Sequence, residues 1–151
     1  MKRASCYMVA MASLFLAGGL SGQAQSQAVS SSPARPSLSY DFFKAKVEPV
    51  FLAKRPGHAR CVVCHTTNNA PFHLVPLSPG STMWNEEQSR RNFELVQRVV
   101  QPGYLESPLL KHPLAEEAGG DAHHGGAQQF SSKEDPDWLT LKAFVAGEAA
   151  K

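Results

Sequence analysis

The chain has 151 residues, of which 42% are hydrophobic and 19% charged. That suits one compact domain with short tails, and it is neither the composition of a membrane protein nor that of a disordered chain. The formal charge of only +2 argues against a nucleic-acid binder, which presents a strongly basic surface.

The first residues read as a secretion signal over residues 1–24. Lys2 and Arg3 give the positive start, residues 7–20 are mostly apolar, and Gly22-Gln23-Ala24 supplies a small-residue cleavage site. The apolar run falls short of the roughly 20 residues that span a bilayer, so no transmembrane segment is expected in the mature chain. The expected location is periplasmic or otherwise exported. Cys6 precedes the apolar run, whereas a lipid-anchor cysteine would follow it, so it reads as a passenger in a discarded peptide. Two of the 15 Lys and Arg leave with the signal, and 13 basic side chains then face 13 acidic ones. Residues 25–36 are rich in Ser, Gln and Ala with two prolines and read as a flexible linker. The domain is expected over residues 37–148, without an internal repeat.

Three helices are expected. The first covers residues 40–54. Ser39 caps it, Asp41 suits its positive end, and Phe43, Val47, Val50 and Phe51 share one face. Pro49 should kink it, because proline lacks the backbone donor that a helix interior needs, and Pro56-Gly57 should stop it. The second covers residues 86–101. Asn85 with Gln88 resembles a capping box, Phe93, Val96, Val99 and Val100 form the apolar stripe, and Pro102-Gly103 follows. The third covers Pro136–Ala146, with Asp135 as cap, Pro136 at the first helical position and Gly147 after the end. Trp138, Leu141, Phe144 and Val145 should face inward. The connections are long and rich in Pro and Gly, and no segment alternates as a strand would. Modest helices with long loops need a surface to pack on, which a large flat cofactor would supply.

Cys61-Val62-Val63-Cys64-His65 is the attachment pattern of c-type haem. Thiols one helical turn apart can reach the two vinyl groups on one porphyrin edge, and the next residue brings its imidazole under the iron. Two other readings compete. Structural zinc needs four ligands, usually from two such pairs, and the chain has no second cysteine pair. A redox dithiol usually follows a strand in a βαβ unit, and none is visible.

On these residues the chain resembles the cytochrome c family of single-haem, class I-like electron carriers. The likeness takes in Val47-Glu48-Pro49-Val50-Phe51, the Cys61 to His65 motif and the middle helix with Phe93 and Val96. It continues through Val100-Gln101-Pro102-Gly103, Ser107-Pro108-Leu109-Leu110 and the last aromatic helix. It covers roughly residues 37–147. The resemblance implies a small all-α bundle wrapped round one covalently bound haem c, with long loops. It implies Cys61 and Cys64 as covalent haem residues and His65 as the proximal iron ligand. One-electron transfer between donor and acceptor proteins is the implied activity, and an export-side haem attachment machinery is the implied maturation partner.

The family's usual distal ligand is a methionine in the loop before the last helix. Here the mature chain has only Met83, which lies before the middle helix. The loop instead reads Gly119-Gly120-Asp121-Ala122-His123-His124-Gly125-Gly126. It resembles a His-Gly-Gly segment of cytochrome-like domains in environmental bacteria, which places His124 in the methionine slot. His123, His112 and Met83 are the alternatives, in that order. Glycine beside a ligand would let backbone lie close to the porphyrin. Two histidine ligands would give a lower potential than histidine with methionine. His58 and His73, near the motif, read as surface or propionate-contacting residues. Lys44, Lys46, Lys54, Arg55 and Arg60 cluster before the motif and read as a solvated face rather than a docking rim. The alternatives to an electron carrier are a small peroxidase-like haem enzyme and a gas or redox sensor. Both require an open or displaceable sixth site.

Overall fold

The structure is a computed structural model that describes residues 36–67, 72–122 and 128–148. The signal, most of the linker, and both His123 and His124 lie outside the described residues. The described part is helical: it contains no strand, only an isolated parallel bridge between Leu114 and Phe130. No described helix is long and apolar enough to cross a membrane.

The first expected helix comes in three pieces: α1 over Tyr40–Phe42, a π-helical turn over Phe43–Val47, and α2 over Glu48–Leu52. Ser39 caps the start, its hydroxyl accepting from the Phe42 amide at 3.2 Å. The π turn is the form Pro49 imposes. Proline can neither donate to the carbonyl four residues back nor tolerate it close to its ring. The backbone widens instead, and the Glu48 amide donates to the Phe43 carbonyl five residues earlier. The run ends at Leu52, short of the expected Lys54, because Ala53 turns extended with ψ 131°.

α3, Cys61–His65, carries the motif. α4 spans Glu86–Val99 behind the expected capping box, in which Asn85 and Gln88 satisfy each other's backbone amides. It stops at Val99 because Val100 is extended. α5, Pro108–Lys111, is one turn capped by Ser107, and a 3-10 turn covers Glu116–Ala118. The expected long connection before the last helix is therefore partly structured. α6 spans Pro136–Ala146 as expected. Asp135 accepts from the amides of Asp137 and Trp138, and Gly147 closes the helix in the left-handed region at φ 83°.

The core joins the two ends of the domain. Phe43, Val47, Phe144 and Val145 have no exposed surface. Phe43 packs its ring within 5.5 Å of Phe93 and 5.8 Å of Phe144. Each fully buried phenylalanine stabilises the fold by roughly 1.5–3 kcal/mol. Of the expected stripe of α4, Val96 and Val100 are buried and Phe93 packs on the core, and only Val99 departs, at 39% exposed. Ser89 and Asn92 of α4 are buried as well. The inner face of α4 is thus partly polar, and Val99 faces a cavity rather than the core.

Candidate functional site

That cavity, of about 270 Å³, has the motif on its lining. In α3, Val62 enters the core and Val63 faces solvent, so Cys61, Cys64 and His65 are left for the cavity side. The approach to α3 is tied down from outside. Arg55 pairs with Asp135 at 3.2 Å and with Asp137, and its guanidinium lies 4.6 Å from the Phe130 ring centre. The loop between α2 and α3 is thereby clamped to the start of α6.

Cys61 and Cys64 are both free thiols. Burial pushes the Cys61 thiol up to about 11, with Arg55 opposing the shift only in part. Reactive dithiols depend on a depressed thiol pKa, and burial moves the Cys61 thiol the other way. No three His, Cys, Asp or Glu side chains converge among the described residues as they would around a bare metal ion.

His65 Nδ1 lies 2.8 Å from the carbonyl oxygen of Phe72. A carbonyl can only accept, so Nδ1 carries the proton and donates, and the ring's lone pair is on Nε2. The Leu74 amide returns a bond to the His65 carbonyl at 2.7 Å, and the Phe72 ring packs 5.0 Å from the imidazole. The tautomer and the tilt of His65 are both set by residues 72–74.

The rest of the lining is predominantly apolar: Phe51, Phe72, Val99, Pro108, Leu109, Pro113, Phe130 and Leu141, with Arg60, His112 and Gln129 as polar members. Backbone bonds hold the wall at residues 111–115. The amides of Gln129 and Phe130 donate to the Pro113 carbonyl at 2.7 and 2.9 Å, and the Ala115 amide donates to Phe130. The Asp121 amide donates to Lys111 at 3.1 Å. The chain on either side of His123 and His124 is therefore anchored at this wall. Glycine also has a purpose here other than access to a ligand. A Cβ on Gly120 would stand 1.9 Å from the Leu114 carbonyl oxygen, so that position must be glycine for the turn to pack.

The structure brings together Cys61, Cys64, His65 and His112. His112 lies on the lining, with Nδ1 2.7 Å from an Asp121 carboxylate oxygen though not aligned as a hydrogen bond. Met83 is 68% exposed and is not on the lining, nor are His58 and His73. Of the basic cluster, Lys44 pairs with Glu86, Arg55 with the two aspartates, and Lys54 donates to the His58 carbonyl. Arg60 alone of the five joins the lining.

Sequence reasoning missed the Phe72 carbonyl, since any residue supplies one. It also missed the Arg55 clamp, whose partners lie about 80 residues away. Comparison of the chain with protein-family models, with curated proteins and with solved structures found no match.

Proposed function

We propose that this chain is an exported, single-haem c-type cytochrome that carries one electron at a time between partner proteins. The observation that carries the reading is local. Cys61, Cys64 and His65 line one predominantly apolar cavity, and the Phe72 carbonyl presets the His65 tautomer with its lone pair on Nε2, the form that binds iron. Bound there, haem supplies a one-electron couple at its iron.

The chain's own residues would do the rest. The Cys61 and Cys64 sulfurs hold the porphyrin edge as thioethers. His65 Nε2 is the proximal ligand. Phe51, Phe72, Leu109, Phe130 and Leu141 exclude water, which raises the sensitivity of the couple to nearby charge. Arg60 and Gln129 are the polar side chains on the lining suited to the propionates. His124 is proposed as the sixth ligand, supported by the anchoring of Asp121 and Gln129 to the cavity wall.

The mass and the pyridine haemochrome spectrum of the exported protein test the reading. The expected result is haem that survives denaturation and acid extraction. A colourless product with the mass of the processed polypeptide would rule it out. His124→Ala should drive the ferric spectrum towards high spin, while Met83→Ala should leave it unchanged.

His112 on the lining, with the Asp121 carboxylate next to its Nδ1, favours a second reading. A histidine backed by a carboxylate on a haem pocket wall is the equipment of an acid-base site, which an enzyme would need. Rapid carbon monoxide binding by the reduced protein would support an open sixth site and this alternative. Slow or absent binding supports the carrier.

A further inference from the structure

The inner face of α4 presents a problem that apolar packing does not explain. Asn92 has no exposed surface, and its Nδ2 finds no partner among the described residues. An unsatisfied buried donor costs free energy that a leucine of similar size would not. What Asn92 does supply is its Oδ1, which accepts from the Val75 amide at 2.7 Å.

Val75 is not an arbitrary residue. The segment 72–76 carries the carbonyl that fixes His65, and two further side chains grip it. Trp84 Nε1 donates to the Val75 carbonyl at 2.7 Å, and Gln88 Nε2 donates to the Pro76 carbonyl at 2.9 Å. Gln88 is itself fixed by the capping box of α4. Three side chains on α4 and its lead-in therefore pin the backbone just after Phe72 and Leu74, the two residues that bond to His65.

We infer that Asn92, together with Trp84, is a positioning residue for His65: it holds segment 72–76 so that the Phe72 carbonyl accepts from Nδ1–H at hydrogen-bond distance. This rests on the reading of His65 as the proximal haem ligand. The chemistry is direct. A firm bond from Nδ1–H to a carbonyl gives the imidazole more anionic character and makes Nε2 a stronger donor to iron, which favours the oxidised state. Slackening the segment weakens that bond and raises the reduction potential. Asn92 is not on the cavity lining and bonds to the Val75 amide, so its effect on the site passes through the backbone of segment 72–76.

The test compares Asn92→Leu, Trp84→Phe and Val96→Ala in the haem-loaded protein. Val96 is fully buried in α4 and its side chain has no hydrogen-bonding atom, so it reports loss of packing alone. Asn92→Leu is expected to shift the reduction equilibrium about threefold to tenfold towards the reduced form, about 30–60 mV upward at 59 mV per tenfold. Trp84→Phe removes one N–H while keeping an aromatic ring, and should move the potential the same way. Val96→Ala should lower the melting temperature without moving the potential. In nuclear magnetic resonance of the reduced protein, the His65 Nδ1 proton should exchange faster in the first two variants only. If Asn92→Leu does not fold, Trp84→Phe decides the question. A coloured protein in which the potential and Nδ1 proton exchange follow stability equally in all three variants overturns this inference and leaves the haem reading standing. A colourless chain of bare mass overturns both.

Discussion

A methyl group at residue 120 would stand 1.9 Å from the Leu114 carbonyl oxygen and 2.9 Å from that of Ala115. Neither atom can move without breaking the bonds of the wall at residues 111–115. Gly120→Ala is therefore expected to destabilise the fold by about 3 kcal/mol in urea titrations, at the upper end of ordinary point mutations. Glu48 makes a different prediction. It is 6% exposed, with Ser89 donating to one oxygen at 3.1 Å and the other oxygen unpartnered among the described residues. Burial raises its pKa above the ordinary carboxyl value, and the Ser89 bond offsets this only in part. The unfolded chain therefore releases this proton first. Stability falls as pH rises from the ordinary carboxyl range to the raised pKa, and the loss is complete above it. Glu48→Gln should remove that decline and raise the melting temperature near neutral pH more than at about pH 4. At this scale the grouping of Cys61, Cys64 and His65 on one lining was readable because they stand within one helical turn. Asn92 and Phe72 were not. One acts through an amide oxygen reaching 17 residues back, the other through a carbonyl that every residue possesses.

Helix ends were more legible than helix interiors. Ser39, Asn85 and Asp135 cap where their side-chain chemistry says they should, because a cap is a contact across three or four residues. The interiors answer to distant partners. α4 turns Ser89 and Asn92 inward and leaves Val99 on the cavity, since what faces it is the Glu48 carboxylate and the Val75 amide rather than a uniform apolar layer. Pro49 announced a kink, but not that the kink would be a π turn. The two main caps should differ in strength. Asn85→Ala removes one side-chain acceptor on an exposed helix start and is expected to cost about 1 kcal/mol. Asp135→Ala removes acceptors for two amides and one of the two partners of the half-buried Arg55. It is expected to cost about 2 kcal/mol or slightly more in thermal or chemical melts. If haem is attached at Cys61 and Cys64, the same variant should slow its incorporation, measured as coloured product per unit of chain, because Arg55 also lies over the lining residue Phe130.

Seen whole, the described domain is helical, with a cavity of about 270 Å³ that shares Phe51 with the aromatic seam around Phe43. Its all-α character followed from helical periodicity and from the lack of alternating segments. The one-turn α5 and the 3-10 turn at Glu116–Ala118 are too short to leave a periodic signal. If haem fills the cavity, a Cys61→Ala, Cys64→Ala double variant should lose covalent pigment. It should also melt at a lower temperature and bind more of a hydrophobic dye, because its apolar lining stays wet.

The seam has a bearing on how the chain acquires this shape. Phe43 and Phe144 are in contact although about a hundred residues separate them. The loop between them must close before this contact forms, so the entropy of closure falls on a late step. A nascent chain that has not yet released its final helix holds the Phe43 side of that seam open to water. A truncation just before Asp135 should then yield a soluble but loosely collapsed polypeptide rather than a smaller version of the domain.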